Sequence, residues 1–366
     1  MSALLPLLVL LAAPVGPRED DRSQGEARIA PAHSTEARTV PALRRGLDYL
    51  ADLVLRTEDG AIPREDAKEY APVGVTALAA LAFLGEGTAE ARGSHARAAE
   101  RAIEYLVRKS ELSGEEFGGF IRTDGDNLSR MHGHGYATLA LAEAYGMFGT
   151  RLGRDGERRI EKALVAGVRR IERAQGSQGG WYYEPRPTLE HEGSVTVCVV
   201  QALRAARNAG IAVPRSVIDR ALAYLRLLQK EDGSFRYQIG SERSSVALTA
   251  AAVATLQALG DYDGEETKRG AEYLLRQVEA RSLPYRTDAD AFPYYERFYL
   301  AQALHQQRDP AVFERWFERE SARLLAAQSA DGSWRDPTSP FGTPYTTAMN
   351  CLVLEVPLGM LPIFQR

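Results

Sequence analysis

Cysteine is nearly missing from this chain: 366 residues hold two, Cys198 and Cys351. Two cysteines make no disulfide framework, and neither sits in a Cys-x-x-Cys or near a second ligand at zinc-finger spacing. Blocks of positive charge are missing as well. The formal net charge of −4 is spread along the sequence, which argues against nucleic acid as a partner. The apolar run within residues 1–16 is short of the ~20 residues that a membrane-spanning helix needs. Its length suits the core of a signal peptide, with Ala12, Ala13 and Gly16 as candidate cleavage positions. No Lys or Arg precedes that run, and the alternative is an uncleaved anchor or a misassigned start codon. Residues 17–40 are charged and aperiodic and read as a disordered linker. The expectation is a protein exported to the periplasm or the cell exterior, monomeric, with a folded body over residues 41–366.

What is present is a repeat. Gln175-Gly-Ser-Gln-Gly-Gly-Trp181, Gln229-Lys-Glu-Asp-Gly-Ser-Phe235 and Gln328-Ser-Ala-Asp-Gly-Ser-Trp334 share one pattern: Gln, three residues, Gly, one residue, an aromatic. Each follows an amphipathic, helix-periodic run and precedes a run rich in Ala, Val and Thr. Amphipathic helices are expected near 42–55, 95–109, 156–175, 215–229, 265–278 and 311–328. Nearly uncharged ones are expected near 73–84, 135–147, 195–209, 246–259, 295–305 and 345–355. A helix apolar all round is buried, and a striped one has a wet side. Six hairpins alternating these two classes predict an all-α ring of two nested layers. The motif itself falls between outer and inner helix, where Gly allows the turn and the aromatic pins the loop to the core, so Trp181 and Trp334 read as structural.

In such a ring the six inner-helix N-termini open on one rim. The rim should receive Tyr70, Asp124, Asp126, His132, His134, His191, Glu192, Glu242, Arg243, Asp288, Asp290, Tyr294 and Tyr345. Helix N-termini there favour an anionic ligand. His132, His134 and His191, with Asp124 and Asp126, are candidates for a mixed nitrogen and oxygen metal site. The alternative is structural: one imidazole caps a helix and the other bonds a loop carboxylate. Asp124 or Asp126 opposite Asp288 or Asp290 would supply the facing carboxylates of a glycoside hydrolase. Trp181, Tyr182, Tyr183, Tyr294 and Tyr295 are candidate stacking surfaces for a sugar or an isoprenoid. Their alternative is loop packing. Cys198 and Cys351 fall on inner helices three hairpins apart and read as small core residues.

The Gln-x-x-x-Gly-x-Trp/Phe pattern resembles the repeat of the terpenoid cyclase and protein prenyltransferase superfamily, whose members share an α/α toroid. The resemblance covers about residues 41–366. Segments 131–146, 193–210 and 361–366 resemble a group of exported bacterial prenyltransferase and squalene oxidase repeat proteins. The resemblance implies the fold and leaves activity open. Squalene-type cyclases begin with an Asp-x-Asp-Asp acid; Asp288-Ala-Asp290-Ala291 and Asp124-Gly-Asp126-Asn127 each lack the final carboxylate. Prenyltransferases hold zinc through an Asp-x-Cys step; Thr196 and Met349 stand where that Asp would precede Cys198 and Cys351. The Cys-Gly-Glu-Gln of related thioester domains is absent. The sequence therefore points to a binding or scaffold toroid without a cofactor, for an apolar or anionic small molecule. The alternative is an enzyme acting on an isoprenoid or glycan in the central cavity.

Overall fold

A computed structural model describes residues 30–86, 95–111, 118–126, 130–148, 153–280 and 292–365. Among these residues twelve α-helices alternate between two layers. The outer helices are α1 (Ala30–Arg56), α3 (Ala96–Glu111), α5 (Gly153–Ala174), α7 (Arg215–Leu227), α9 (Glu265–Ala280) and α11 (Pro310–Ala327). The inner helices are α2 (Pro72–Gly85), α4 (Arg130–Phe148), α6 (Gly193–Asn208), α8 (Val246–Ala258), α10 (Pro293–His305) and α12 (Gly342–Glu355). Composition assigns the layers. Every residue of α2 and of α8 is buried. In α7 only the stripe Val217, Ile218, Ala221, Tyr224 and Leu225 is buried, at three- and four-residue spacing.

The ring closes. Each inner helix packs on the next, α12 returns to α2, and α1 lies against α11 and α12. The stapling device is the repeated Gln. The Gln175 amide donates to Gly179 O at 2.8 Å and to Val217 O of the next outer helix at 2.9 Å. Gln229 does the same to Gly233 and Glu266. Gln328 donates to Gly332 and, across the junction of last and first hairpins, to Ala42 O at 2.8 Å. The Trp181 and Trp334 indoles donate to Ile171 O and Leu324 O, each at 2.8 Å. They are structural anchors, as expected.

The same loop recurs in hairpins whose sequence hides it. Trp181 N–H, Phe235 N–H and Trp334 N–H each donate to a threonine hydroxyl on the following inner helix, Thr196, Thr249 and Thr347. In the first hairpin Ile62 N–H donates to Thr76 in the same way. In the second, Ile121 N–H donates to Nδ1 of His134 at 3.2 Å. His134 thus occupies the threonine place of the repeat.

Two details depart from expectation. Helix α1 begins at Ala30, inside the stretch read as linker, with Thr39 Oγ1 bonded back to Thr35 O at 3.1 Å. A two-stranded antiparallel ribbon, β1 (Phe235–Arg236) and β2 (Ser244–Ser245), stiffens the loop before α8. At the far end the C-terminal segment plugs the ring: Ile363 and Phe364 are buried, and the Arg204 guanidinium of α6 donates to Ile363 O and Gln365 O, each at 3.3 Å. No described helix is long and apolar enough to cross a membrane. The leader at 1–16 lies outside the described residues.

Candidate functional site

The inner-helix N-termini do converge, and a chamber of about 530 Å³ lies between them. Gly74, Val75 and Leu78 of α2, His132, Gly133 and Tyr136 of α4, and Ser194 of α6 form part of its wall. Ala247 and Leu248 of α8, Tyr295 of α10 and Tyr345 of α12 complete it. The loops add Tyr183, Tyr237, Phe292 and Phe341 near the opening. Two glycines let α2 and α4 approach closely in the wall: a Cβ on Gly74 would lie 3.4 Å from Gly133 Cα. Below, the ring is filled. The fully buried Tyr299 packs on Tyr295 at 4.5 Å between ring centroids, and Gln201 of α6 donates to Gln302 of α10 at 3.0 Å.

The mouth loops cap one another's helices, which settles much of the local electrostatics. Tyr183 O accepts from Met131 N–H at the start of α4, and Tyr237 O accepts from Gly193 N–H at the start of α6. Asp126 accepts from Thr123 N–H at 2.7 Å and Val73 N–H at 3.4 Å. Asp66 accepts from Thr343 N–H of α12 at 2.8 Å. Helix N-termini are strong anion sites only while their N–H groups are unspent. Here loop oxygens have taken many of them, and the carboxylates of Glu69, Asp126 and Glu192 line the chamber. Both weaken the pull of the mouth on an anion. Arg130, also on the wall, is tied to Glu184 at 3.0 Å.

Of the residues singled out from sequence, Asp126, His132, Glu192, Tyr183, Tyr295 and Tyr345 line the chamber. Asp126 is held by its caps; burial raises its pKa, against the Thr123 and Val73 hydrogen bonds that lower it. His132 Nε2 lies 3.1 Å from Ser194 Oγ, and Ser194 Oγ donates to Glu192 Oε2. Ser194 therefore accepts from the imidazole N–H, which fixes the tautomer. Burial lowers the His132 pKa to about 4, so the ring is neutral. Glu192 is also the N-cap of α6, accepting from Val195 N–H at 3.1 Å. Burial raises its pKa.

The other candidates do not meet there. Asp124 is fully exposed and pairs with Arg122 at 3.2 Å. His134 is completely buried, its Nδ1 accepting from Ile121 and its Nε2–H donating to Gly167 O at 3.2 Å. Burial lowers its pKa to about 3. His191 bonds Thr188 O at 3.1 Å and packs edge-on against Tyr224. Tyr294 donates to Asp336 at 2.9 Å. Glu242 and Arg243 lie in the ribbon loop, with Arg243 stacked over Tyr237. Tyr70 lines a small crevice of about 10 Å³ beside Phe341. Asp288 and Asp290 lie outside the described residues. No three His, Cys, Asp or Glu among the described residues are grouped to hold a metal ion. Cys198 and Cys351 are free and buried, and burial raises both thiol pKa values.

Sequence reasoning missed Ser194, Arg130, Tyr136 and Tyr237. Ser194 had a legible signal: it lies two residues past the N-cap of an inner helix, where the mouth must be. The error on His134 has a physical source. Helix α4 begins at Arg130, five residues before the expected start, and runs through Gly133. Two residues of helix turn a side chain by about 200°, so His132 faces the chamber and His134 faces away.

Residues 140–312 match the family model described as the squalene-hopene cyclase C-terminal domain. The fold is similar to the type II terpene cyclase MstE from Scytonema, with 16% identity, 89% of this chain and 100% of that chain covered, and a TM-score of 0.54. A substituted form of that cyclase was solved with its substrate, geranylgeranyl dihydroxybenzoate, and aligns at 15% identity over 90% of this chain and 100% of that one, TM-score 0.53. The chain is similar in fold to a D-mannose isomerase too, at 13% identity over 88% and 98% of the two chains, TM-score 0.57. No curated protein sequence matches. One architecture thus serves unrelated chemistries, and fold alone does not choose among them.

Proposed function

We propose that this chain, which belongs to the α/α-toroid superfamily of terpenoid cyclases and protein prenyltransferases, is a binding toroid whose chamber takes one largely apolar small molecule. The observation that carries this reading is the chamber itself: about 530 Å³, walled by all six inner helices and their loops, rich in aromatic and aliphatic side chains. Ligand pockets fall in the range of about 300–1,000 Å³ and are mostly apolar with a few placed polar groups. At the ~30 Å³ that a water occupies in the liquid, roughly 18 non-hydrogen atoms fill the space. A fifteen- to twenty-carbon isoprenoid matches that size. The acid motif of the cyclases and the zinc step of the prenyltransferases are both missing from the sequence.

Native mass spectrometry of the purified protein tests this. A retained organic molecule of that size, or one equivalent of an added fifteen-carbon isoprenoid, supports the reading. A chain that emerges empty and takes up no isoprenoid overturns it. A second reading, an isoprenoid-converting enzyme, is favoured by one observation: Glu192 is a buried carboxyl of raised proton affinity on the chamber wall. The two part on whether a bound isoprenoid is recovered unchanged. Export through residues 1–16 belongs to the same proposal. Amino-terminal sequencing of secreted protein should locate the cut near Ala13 or Gly16, and retention in the cytoplasm contradicts it.

A further inference from the structure

We propose that the corner of the chamber where α4 meets α6 is a polar-head site, in which His132 and Ser194, backed by Glu192, seat the hydroxyl end of an otherwise apolar ligand. The inference rests on the reading that the chamber binds an apolar molecule, and adds which end goes where. The geometry is unsymmetrical. Below the mouth the α2 and α8 walls present Val75, Leu78 and Leu248, and Asp126, on the α2 side, is spent on Val73 N–H and Thr123 N–H. In the α4–α6 corner three polar side chains form one connected chain: His132 Nε2 to Ser194 Oγ at 3.1 Å, and Ser194 Oγ to Glu192 Oε2. His132 and Ser194 are part-exposed, while Glu192 is buried behind them.

The chemistry of the corner selects a neutral head. A charged group leaving water pays a large desolvation cost unless a counter-charge meets it. The corner supplies none that is unspent: the imidazole is neutral, Glu192 caps α6 through Val195 N–H, and Arg130 is engaged by Glu184. A hydroxyl both gives and takes one hydrogen bond. It can accept from or donate to groups of the chain without leaving a buried partner unpaired, whereas an ether only accepts and a hydrocarbon does neither.

The test is competition by a fifteen-carbon isoprenoid alcohol, its methyl ether and the parent hydrocarbon against an environment-sensitive naphthalene dye bound to the full-length protein. A hydrogen bond to a neutral buried group is worth about a tenfold affinity difference. The alcohol should therefore outcompete the ether by about tenfold. That ratio should fall to near one in Ser194→Ala and shrink in Glu192→Gln, which keeps an oxygen to cap α6. Equal affinity for alcohol and ether in the unaltered protein overturns the polar-head site and leaves the apolar chamber standing. A tenfold preference that survives Ser194→Ala also overturns it. If none of the three compounds binds, the chamber reading falls as well.

Discussion

The turns at Gly179 and Gly210 stand at opposite ends of α6 and look alike in backbone terms, with φ of +96° and +86°. Their surroundings differ. A Cβ on Gly179 would meet Arg220 O of the next outer helix at 2.2 Å, whereas a Cβ on Gly210 would meet nothing within 4 Å. The contact recurs around the mouth: Gly233 faces Arg269 O at 2.4 Å and Gly332 faces Arg45 O at 2.2 Å. Mouth loops are therefore pressed against the neighbouring hairpin, while the turns at Gly210 and Gly260 on the other end are open to solvent. These three mouth loops are seated tightly on their neighbours beside the chamber. The closed end instead fills itself with the C-terminal segment and tolerates buried acids: both Glu355 carboxylate oxygens have no hydrogen-bond partner, and burial raises that pKa well above the usual range.

Substitution sharpens the contrast most directly. Gly179→Ala adds a left-handed backbone penalty and a clash with main chain, and should cost about 3 kcal/mol or more in denaturant unfolding. Gly210→Ala carries the backbone penalty alone, about 1 kcal/mol. Equal losses would mean that the mouth is no tighter than the far end.

The closed end should answer to pH. Burial raises the Glu143 pKa to about 7, although the Ile363 backbone and Arg204 pull it down. The folded chain then holds this proton above the pH at which the unfolded chain releases it. Stability from this group is full below the ordinary glutamate range and is lost as pH rises to about 7. A shift from 4.5 to about 7 corresponds to about 3 kcal/mol. Glu143→Gln should flatten stability across that window and leave the protein more stable above it. Thermal unfolding at several pH values reads this, and an unchanged slope contradicts it.

His134 acts with the opposite sign, and its replacement should cost less at neutral pH. Its folded pKa is lowered to about 3, so the unfolded chain takes up a proton first. Stability is present above the ordinary histidine range and is lost progressively as pH falls from there through about 3. Since Thr76, Thr196, Thr249 and Thr347 fill the equivalent place, His134→Thr should cost about 1–2 kcal/mol near neutrality, from lost packing. It should also remove part of the acid instability. A collapse of the fold on this change would show that His134 does more than stand in for threonine.

Much of this architecture was readable from residues. The run Val246 to Leu256 carries no charge and forms a wholly buried helix; the stripe in Arg215–Leu227 forms an outer one. The Gln-to-aromatic repeat marked three loops. It did not mark those at Gly60 and Gly119, because Ile62 and Ile121 replace the aromatic and the same backbone contacts persist without it. The site was legible only in part. Asp126, His132, Glu192 and Tyr345 were placed at the mouth, but helix phase decides which side chain enters a cavity. An error of five residues in the start of α4 was enough to misplace His134. Asp124 and His191 lie in loops, where sequence carries no periodic signal of direction.

The central claim is that the chamber binds. Ala71 lines it at the start of α2, and Ala71→Trp would fill it with an indole. Native mass spectrometry should show one fifteen-carbon isoprenoid alcohol per unaltered chain and none on the folded Ala71→Trp protein. Equal loading of the two proteins would contradict the account.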